Sequence, residues 1–461
     1  MNTFICEDKI SKILEKTQAA SKKDAEEIIK KSLGFKGLSP EETAVLLQSN
    51  DSSVRQNLFN AANFVKETIY GKRLVLFTPL YITNECVNNC LYCGFRRGNK
   101  SLKRKTLNLK EIEREVKAIE AEGHKRILLV AGEDPESSNL RNLEKIIATI
   151  YKTKNGRGEI RRLNVNVAPM SVPSFKRLKK TGIGTYQLFQ ETYHRSTYFM
   201  VHPDGPKLNY EYRLFAMDRA MEAGIDDVGV GVLFGLYDYK FEVLALLYHA
   251  LHLEKTFGVG PHTISVPRIE PALGAPLANL PPYPVPDEDF KKIVAILRLA
   301  VPYTGMILTT RETAAMRNEL IGLGISQISA GSRTNPGGYV EKRNDSAAQF
   351  LLSDERSTSE VILDVMKLGY IPSFCTACYR VGRTGEKFMD LAKPGEIHTL
   401  CQPNALLTLK EYLLDYSKDG EKAAGEKVIA EELKKISDPE IKRTTENKLR
   451  EVEKGKRDLF L

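Results

Sequence analysis

The chain has 461 residues, 42% of them hydrophobic and 28% charged, with a formal net charge of +9. That length accommodates one large barrel with appendages or two to three smaller domains, and the composition is that of a soluble globular enzyme. Lys and Glu interleave along most of the chain, so the charge reads as solvated helix faces; this argues against a nucleic-acid-binding block and leaves room for an acidic protein partner. No run of 18 apolar residues occurs, so no membrane span is expected. The start, Met1-Asn2-Thr3-Phe4-Ile5-Cys6-Glu7-Asp8-Lys9, lacks a signal-peptide pattern, and a cytoplasmic location is expected.

Residues 1–71 read as a charged helical extension, with Ser39 as N-cap and Glu42 at the third position of a helix opening on Pro40. From residue 72 the pattern alternates. Expected strands are Leu74–Ile82, Arg126–Ala131, Leu163–Ala168, Thr185–Gln190, Asp227–Leu233, Thr263–Ile269, Met306–Thr310 and Ser326–Ala330. Between them, Asn108 and Glu111 form a capping pattern ahead of Leu109, Ile112, Val116 and Ile119, and Gly123 closes that helix. Further helices are expected at about 138–152, 172–181, 208–223, 240–256, 287–300 and 312–322. Eight strands alternating with helices predict an α/β fold, a (β/α)8 TIM-type barrel over 72–355. Residues 356–461, with a helix near 357–368 and a Lys/Glu-rich tail from 405, read as a mostly helical C-terminal domain whose tail helices pack on the outside.

Six of the seven cysteines fall in two tight groups, and clustered thiols in a reducing compartment are read as metal ligands. Cys6 is left over as a free thiol without a role. The first group, Cys86-Val87-Asn88-Asn89-Cys90-Leu91-Tyr92-Cys93, can hold three irons of a [4Fe–4S] cluster and leave one iron open, which suits radical chemistry on S-adenosylmethionine (SAM). It follows the first expected strand, at the catalytic mouth of a barrel. A zinc site completed by a distant residue is the alternative. The second group, Cys375-Thr376-Ala377-Cys378, is followed by 22 residues and then Cys401, and can hold a second [4Fe–4S] cluster; zinc is again the alternative. Arg268, ending the sixth strand, and Arg311, after the seventh, are candidate anchors for a substrate carboxylate, each with a structural ion pair as its alternative.

Over about 72–330 the sequence resembles the radical SAM superfamily. That resemblance implies that Ala131-Gly132-Glu133 meets the methionine amino group through Glu133 and that Glu191 holds the ribose or amino-acid part of SAM. Arg213 can pair with the methionine carboxylate, and Tyr92 can offer an aromatic face or its backbone to the adenine. The second cysteine group and its surroundings, Ser373-Phe374-Cys375-Thr376-Ala377-Cys378-Tyr379-Arg380, Met389-Asp390-Leu391-Ala392-Lys393-Pro394-Gly395 and Cys401-Gln402-Pro403-Asn404-Ala405, narrow this to a resemblance to the tyrosine-lyase maturases of [FeFe]-hydrogenase, the HydG family.

The family resemblance implies two [4Fe–4S] clusters, SAM, and an extra iron on the second cluster with His262, in a Pro-His-Thr context, as its ligand. Read alone, His262 is a core or surface histidine. The implied reaction cleaves L-tyrosine at Cα–Cβ to p-cresol and dehydroglycine and then forms CO and cyanide for the hydrogenase H-cluster. Implied partners are L-tyrosine, SAM, free L-cysteine, an electron donor such as ferredoxin or flavodoxin, and hydrogenase maturation proteins. A thiamine-pathway tyrosine lyase, or a SAM- and cluster-binding regulator without turnover, are the other readings.

Overall fold

The computed structural model describes residues 3–341 and 344–461. Eight parallel strands form a closed barrel: β1 (Arg73–Thr83), β2 (Arg126–Ala131), β3 (Arg162–Asn166), β4 (Tyr186–Gln187), β5 (Val228–Gly231), β6 (Thr263–Ser265), β7 (Gly305–Leu308) and β8 (Gln327–Ser329). Each strand pairs with the next, and β8 closes onto β1 through Val75 opposite Gln327 and Phe77 opposite Ser329. The expected strands all appear, most of them shortened. The expected strand 185–190 keeps its backbone bonds beyond the two regular residues of β4: Leu188 N donates to Gly229 O (3.0 Å) and Gln190 N to Gly231 O (3.2 Å).

Local sequence chemistry sets several boundaries. Ser39 with Glu42, and Asn108 with Glu111, form the anticipated reciprocal caps. The helix Asp287–Ala300 has its expected bounds. The expected helix 208–223 is instead two pieces, Tyr210–Leu214 and Ala216–Glu222, broken at Phe215 (φ −88°, ψ 19°). Phe215 turns there to meet Phe4 from the N-terminal segment edge-on at 5.4 Å, a tertiary contact that competes with the helix. A short helix, Arg195–Val201, and a hairpin, Lys154–Asn155 with Gly158–Glu159, had no clear signal in the sequence.

A ninth strand, β9 (Ile371–Ser373), was not anticipated. It is three residues long and contains Pro372, which a sheet tolerates at an edge. It pairs in parallel with the lower part of β1, Arg73 opposite Ile371 and Val75 opposite Ser373. The C-terminal region therefore attaches to the N-terminal end of the barrel.

One core runs through the N-terminal helices, the barrel and the C-terminal helices. The expectation that the tail helices lie outside is corrected for the first of them: His398–Asp415 buries Leu406, Leu407, Leu409, Tyr412 and Leu413, packed against β9 and the later helices Asp419–Lys434 and Pro439–Glu453. Five adjacent apolar or aromatic contacts on one helix outweigh its Lys and Glu content. Among the described residues, no helix is long and apolar enough to cross a membrane.

Helix His398–Asp415 is also tied to the barrel by a buried fork. Arg161, just before β3, donates to Glu411 through Nη1 (3.2 Å) and Nη2 (2.6 Å), with both side chains at most 5% exposed. Without Glu411, Arg161 keeps Glu159 (3.1 Å) and Asp458 (3.4 Å) as partners but loses the fork to this helix. Glu411→Ala is expected to loosen the docking of residues 398–461 by about 1.5–3 kcal/mol, the loss of charge-assisted bonds, read as faster proteolytic cleavage in that region and a lower thermal midpoint.

Candidate functional site

Strand β1 hands the chain directly to the first cysteine loop. Arg104 donates to the carbonyls of Asn84, Phe95 and Arg96, and Arg97 N donates to Asn88 O (2.8 Å), so the loop is held by its own continuation. Cys86, Cys90 and Cys93 line one pocket at the C-terminal mouth of the barrel, together with Tyr92, Glu133, Glu191 and Arg213. The structure thus brings together all seven residues expected there, from four separate stretches of chain.

Close backbone approach builds the second wall. A Cβ on Gly132 would stand 2.1 Å from Glu85 O, so only glycine lets the 131–133 turn lie against the cysteine loop. Val87 N then donates to Glu133 O (2.8 Å) and Asn88 Nδ2 to Glu133 Oε2 (2.7 Å), fixing the carboxylate beside Cys86.

The third wall carries charge. Glu191 sits in the left-handed region at φ 74°, uncommon for a residue with a side chain. Its carboxylate meets Lys207 Nζ at 2.7 Å and Arg213 Nη2 at 3.7 Å. Burial acts to raise its pKa, but Lys207 and Arg213 prevail and hold it below its ordinary value. Lys207 also donates to Tyr92 OH (2.8 Å), which lies 2.7 Å from His202 Nε2. His202 Nδ1 faces Tyr198 O at 2.8 Å and burial keeps the ring neutral, so Nδ1 carries the proton and Nε2 accepts from Tyr92. The hydroxyl of Tyr92 is committed to Lys207 and His202, and the residue lines the pocket.

Above the barrel interior lies a cavity of about 130 Å³ whose walls include Phe77, Leu128, Val130, Ile307, Gln349 and Arg311. Arg311 stacks on Phe350 (3.4 Å to the ring centre), and among the described residues no carboxylate pairs with it. Burial lowers its pKa, outweighing the more distant pull of Tyr81, Glu191 and Glu270. Arg268, expected beside it, is corrected: it does not line this cavity. Its guanidinium forks onto Glu312, meets Asp287 at 2.8 Å and donates to Val285 O (2.9 Å), so it is the structural ion pair that was its alternative.

A second cavity lies at the opposite, N-terminal end of the barrel. Cys375 follows β9, Cys378 sits in the short helix Ala377–Arg380, and Cys401 opens helix His398–Asp415. All three line this cavity with His262, Tyr379, Phe388, Arg73 and Arg126. Arg126, at the start of β2, donates to Cys375 O (2.8 Å). His262 Nε2 is 3.1 Å from Tyr379 OH, and Nδ1 is 3.6 Å from Asp227 Oδ1. Burial lowers His262 to about 4, which leaves a neutral imidazole with a lone pair to give.

Both thiol groups fit iron–sulfur ligation by the chemistry of their donors. Burial pushes the Cys93 thiol to about 12 and Cys378 to about 11, and raises Cys90, Cys375 and Cys401. Such thiols stay protonated unless a cation replaces the proton, which is what ligation does. Arg73 is opposed by burial, yet Cys401, Tyr70, Cys375 and Cys378 raise its pKa, so a cation stands ready beside an anionic group. Among the described residues no three Cys, His, Asp or Glu side chains close on a single-ion position. Cys6 is exposed and belongs to neither cavity.

Sequence reasoning missed Lys207, Asn88, Gln349 and Tyr379. Asn88 lies inside the cysteine motif and could have been flagged; Lys207 and Gln349 have no local pattern and reach the site only by folding.

Residues 80–248 match the Radical SAM superfamily and residues 265–371 the Biotin and Thiamin Synthesis associated domain. A solved structure described as HydG, a maturase of the [FeFe]-hydrogenase, is similar at 54% identity and TM-score 0.97, covering 99% of this chain and 100% of that one. The HydG maturase from Carboxydothermus hydrogenoformans is similar at 45% identity and TM-score 0.85, covering 96% and 97%. The 2-iminoacetate synthase of Salmonella typhimurium is 31% identical over 75% of this chain and 89% of its own.

Glu191 is held below its ordinary 4.5. A depressed carboxylate adds stability that is fully present above its unfolded value and disappears as pH falls through the folded one. Glu191→Gln is therefore expected to flatten the acid limb of a thermal-midpoint titration below about pH 4.5 while leaving the limb above pH 6 parallel to that of the parent.

Proposed function

The chain belongs to the HydG family of [FeFe]-hydrogenase maturases, and we propose that it is a radical SAM carbon–carbon lyase cleaving L-tyrosine at Cα–Cβ to p-cresol and dehydroglycine, with CO and cyanide formed from the latter for hydrogenase H-cluster assembly. One observation carries this reading: two thiol-lined cavities stand at opposite ends of a single barrel, one beside Glu133, Glu191 and Arg213 and one beside His262. When bound, the first cluster with SAM would supply the radical that starts the cleavage, and the second, with an extra iron, the metal that retains CO and cyanide.

The chain's own residues position and shield. Cys86, Cys90 and Cys93 hold the first cluster. Glu133, fixed by Asn88, offers an acceptor to the ammonium of SAM, and Arg213 a donor fork to its carboxylate. Glu191 orients the remaining polar groups of the cofactor, with Lys207 keeping its charge. Arg311 suits the carboxylate of an amino-acid substrate, being a buried guanidinium without a carboxylate partner in a cavity whose walls are otherwise largely apolar. Phe77, Leu128, Val130 and Ile307 suit an aromatic side chain and exclude water from a reactive species. At the other end, Cys375, Cys378 and Cys401 would hold the second cluster, and neutral His262 the extra iron.

A tyrosine lyase without the second stage is the rival reading, as the likeness to 2-iminoacetate synthase suggests. Anaerobic turnover of iron-reconstituted protein with SAM, dithionite and L-tyrosine, with p-cresol and CO assayed in one vial, separates the two. Both products are expected; p-cresol without CO favours the rival, and neither product from cluster-loaded protein removes tyrosine as substrate. Cys86→Ala is expected to abolish both products, whereas Cys375→Ala with Cys378→Ala keeps p-cresol and loses CO; normal CO from that double variant would refute the second-cluster assignment.

The two arginines give an independent check. Arg311→Met is expected to lower kcat/KM for tyrosine by roughly 10- to 150-fold, the loss of a charge-assisted bond of about 1.5–3 kcal/mol. Arg268→Met should instead lower the thermal midpoint and leave the tyrosine KM near that of the parent.

A further inference from the structure

Behind the cofactor pocket lies a buried carboxyl that the proposed reaction does not use. Glu242, in the first turn of helix Tyr239–Phe257, is 1% exposed. Among the described residues it has no ion pair. One carboxyl oxygen is hydrogen-bonded to the Thr192 hydroxyl, and the other accepts from Tyr193 N (2.9 Å). His194 N in turn donates to Thr192 Oγ1 (3.3 Å). Thr192 and Tyr193 are fully buried, and they directly follow Glu191.

That placement matters because of the backbone at Glu191. A left-handed conformation at a residue with a side chain is held only when its surroundings over-determine it. On the upstream side Gln190 N donates to Gly231 O (3.2 Å), and Leu233 N donates to Glu191 O (2.9 Å). On the downstream side Tyr193 OH lies 2.7 Å from His249 Nδ1 and the His194 ring stacks on Tyr237, while the backbone of the turn itself is held by Glu242 and by Tyr210 OH, which donates to Tyr193 O (2.8 Å). If the 192–194 segment relaxed, Glu191 would return toward ordinary dihedrals, and its carboxylate would swing away from Lys207 and Arg213.

We propose that Glu242 is a positioning residue for the SAM site: its two hydrogen bonds clamp the 192–193 turn and thereby hold Glu191 in the left-handed conformation that presents it to the cofactor. This rests on the reading of that pocket as a SAM site. Burial raises the Glu242 carboxyl to about 8 against the pull of its bonds to Thr192 and the backbone. A group kept there at that cost, with no cation beside it, serves geometry and not charge pairing. Because the Thr192 hydroxyl can donate or accept, a carboxamide at 242 can make both bonds, and an isobutyl group neither.

The test is equilibrium binding of SAM to anaerobic, iron-reconstituted holoenzyme without reductant or tyrosine, so that no turnover occurs. Visible absorption of the clusters controls for loading. Binding by the parent tests the SAM-site reading itself; differences among variants test the clamp. Glu242→Gln is expected to bind SAM within about twofold of the parent, and Glu242→Leu about tenfold or more weakly, with the cluster spectrum unchanged. Should the leucine variant fail to fold, Thr192→Val removes one bond and leaves Glu242 in place, with an expected loss of about three- to tenfold. Parent-like affinity in a folded leucine variant, or in the valine variant, would overturn the clamp. So would a glutamine variant as weak as the leucine one, since the charge and not the pair of bonds would then be what matters.

Discussion

The pairing of β1 is the constraint on which the rest depends. Its upper residues, Thr78–Thr83, run along β2 and end at the loop that carries Cys86. Val75–Phe77 close the barrel against β8, and Arg73–Val75 accept β9 below β2. One eleven-residue strand thus delivers one thiol group to the C-terminal mouth and anchors the other at the N-terminal end. A parallel barrel makes this possible, because all its strands point one way and its two ends are chemically distinct. The lower pairing is what brings Cys375 and Cys378 into one cavity with His262.

The two ends use charge differently. At the upper end, Glu191, Lys207 and Arg213 form a desolvated triad in which two cations overcome the burial of one carboxylate. The triad is linked through Lys207 and Tyr92 to the cysteine loop. At the lower end the walls supply Arg73 and Arg126 opposite three raised thiols, and His262 is kept neutral. Arg311, near the upper end, has no carboxylate in an ion pair with it among the described residues.

Strain and support follow the same logic. Glu191 occupies a conformation that few residues with side chains adopt, and the bonds that hold it come from β5 on one side and from Glu242 on the other. A helix that does not line this pocket is thus hydrogen-bonded to the turn that follows its Glu191 wall. The buried fork of Arg161 on Glu411 does comparable work for the C-terminal region, tying the helix that bears Cys401 to the edge of β3.

Much of this was legible in the sequence where the cause is local. Capping residues at Ser39 and Asn108, the period of alternating strands and helices, and the spacing of the two cysteine groups depend on neighbours within a few positions, so they could be read without a fold. Glu133 and Glu191 follow strand ends as expected, and Arg213, on helix Tyr210–Leu214, reaches the same pocket. What the sequence did not determine are contacts made across the chain. Arg268 and Arg311 occupy equivalent places in the pattern, yet Glu312 and Asp287 pair with the first, while the second stacks on Phe350 and, among the described residues, has no carboxylate in an ion pair with it. The helix broken at Phe215 yields to a ring from the N-terminal segment. Strand β9 is too short to show a period, and only the free lower edge of β1 makes it a strand. Lys207 and Glu242 carry no motif at all. Periodicity and caps are written in nearest-neighbour sterics and hydrogen bonds; which buried charge finds a partner is settled only when distant segments are brought within a few ångströms of one another.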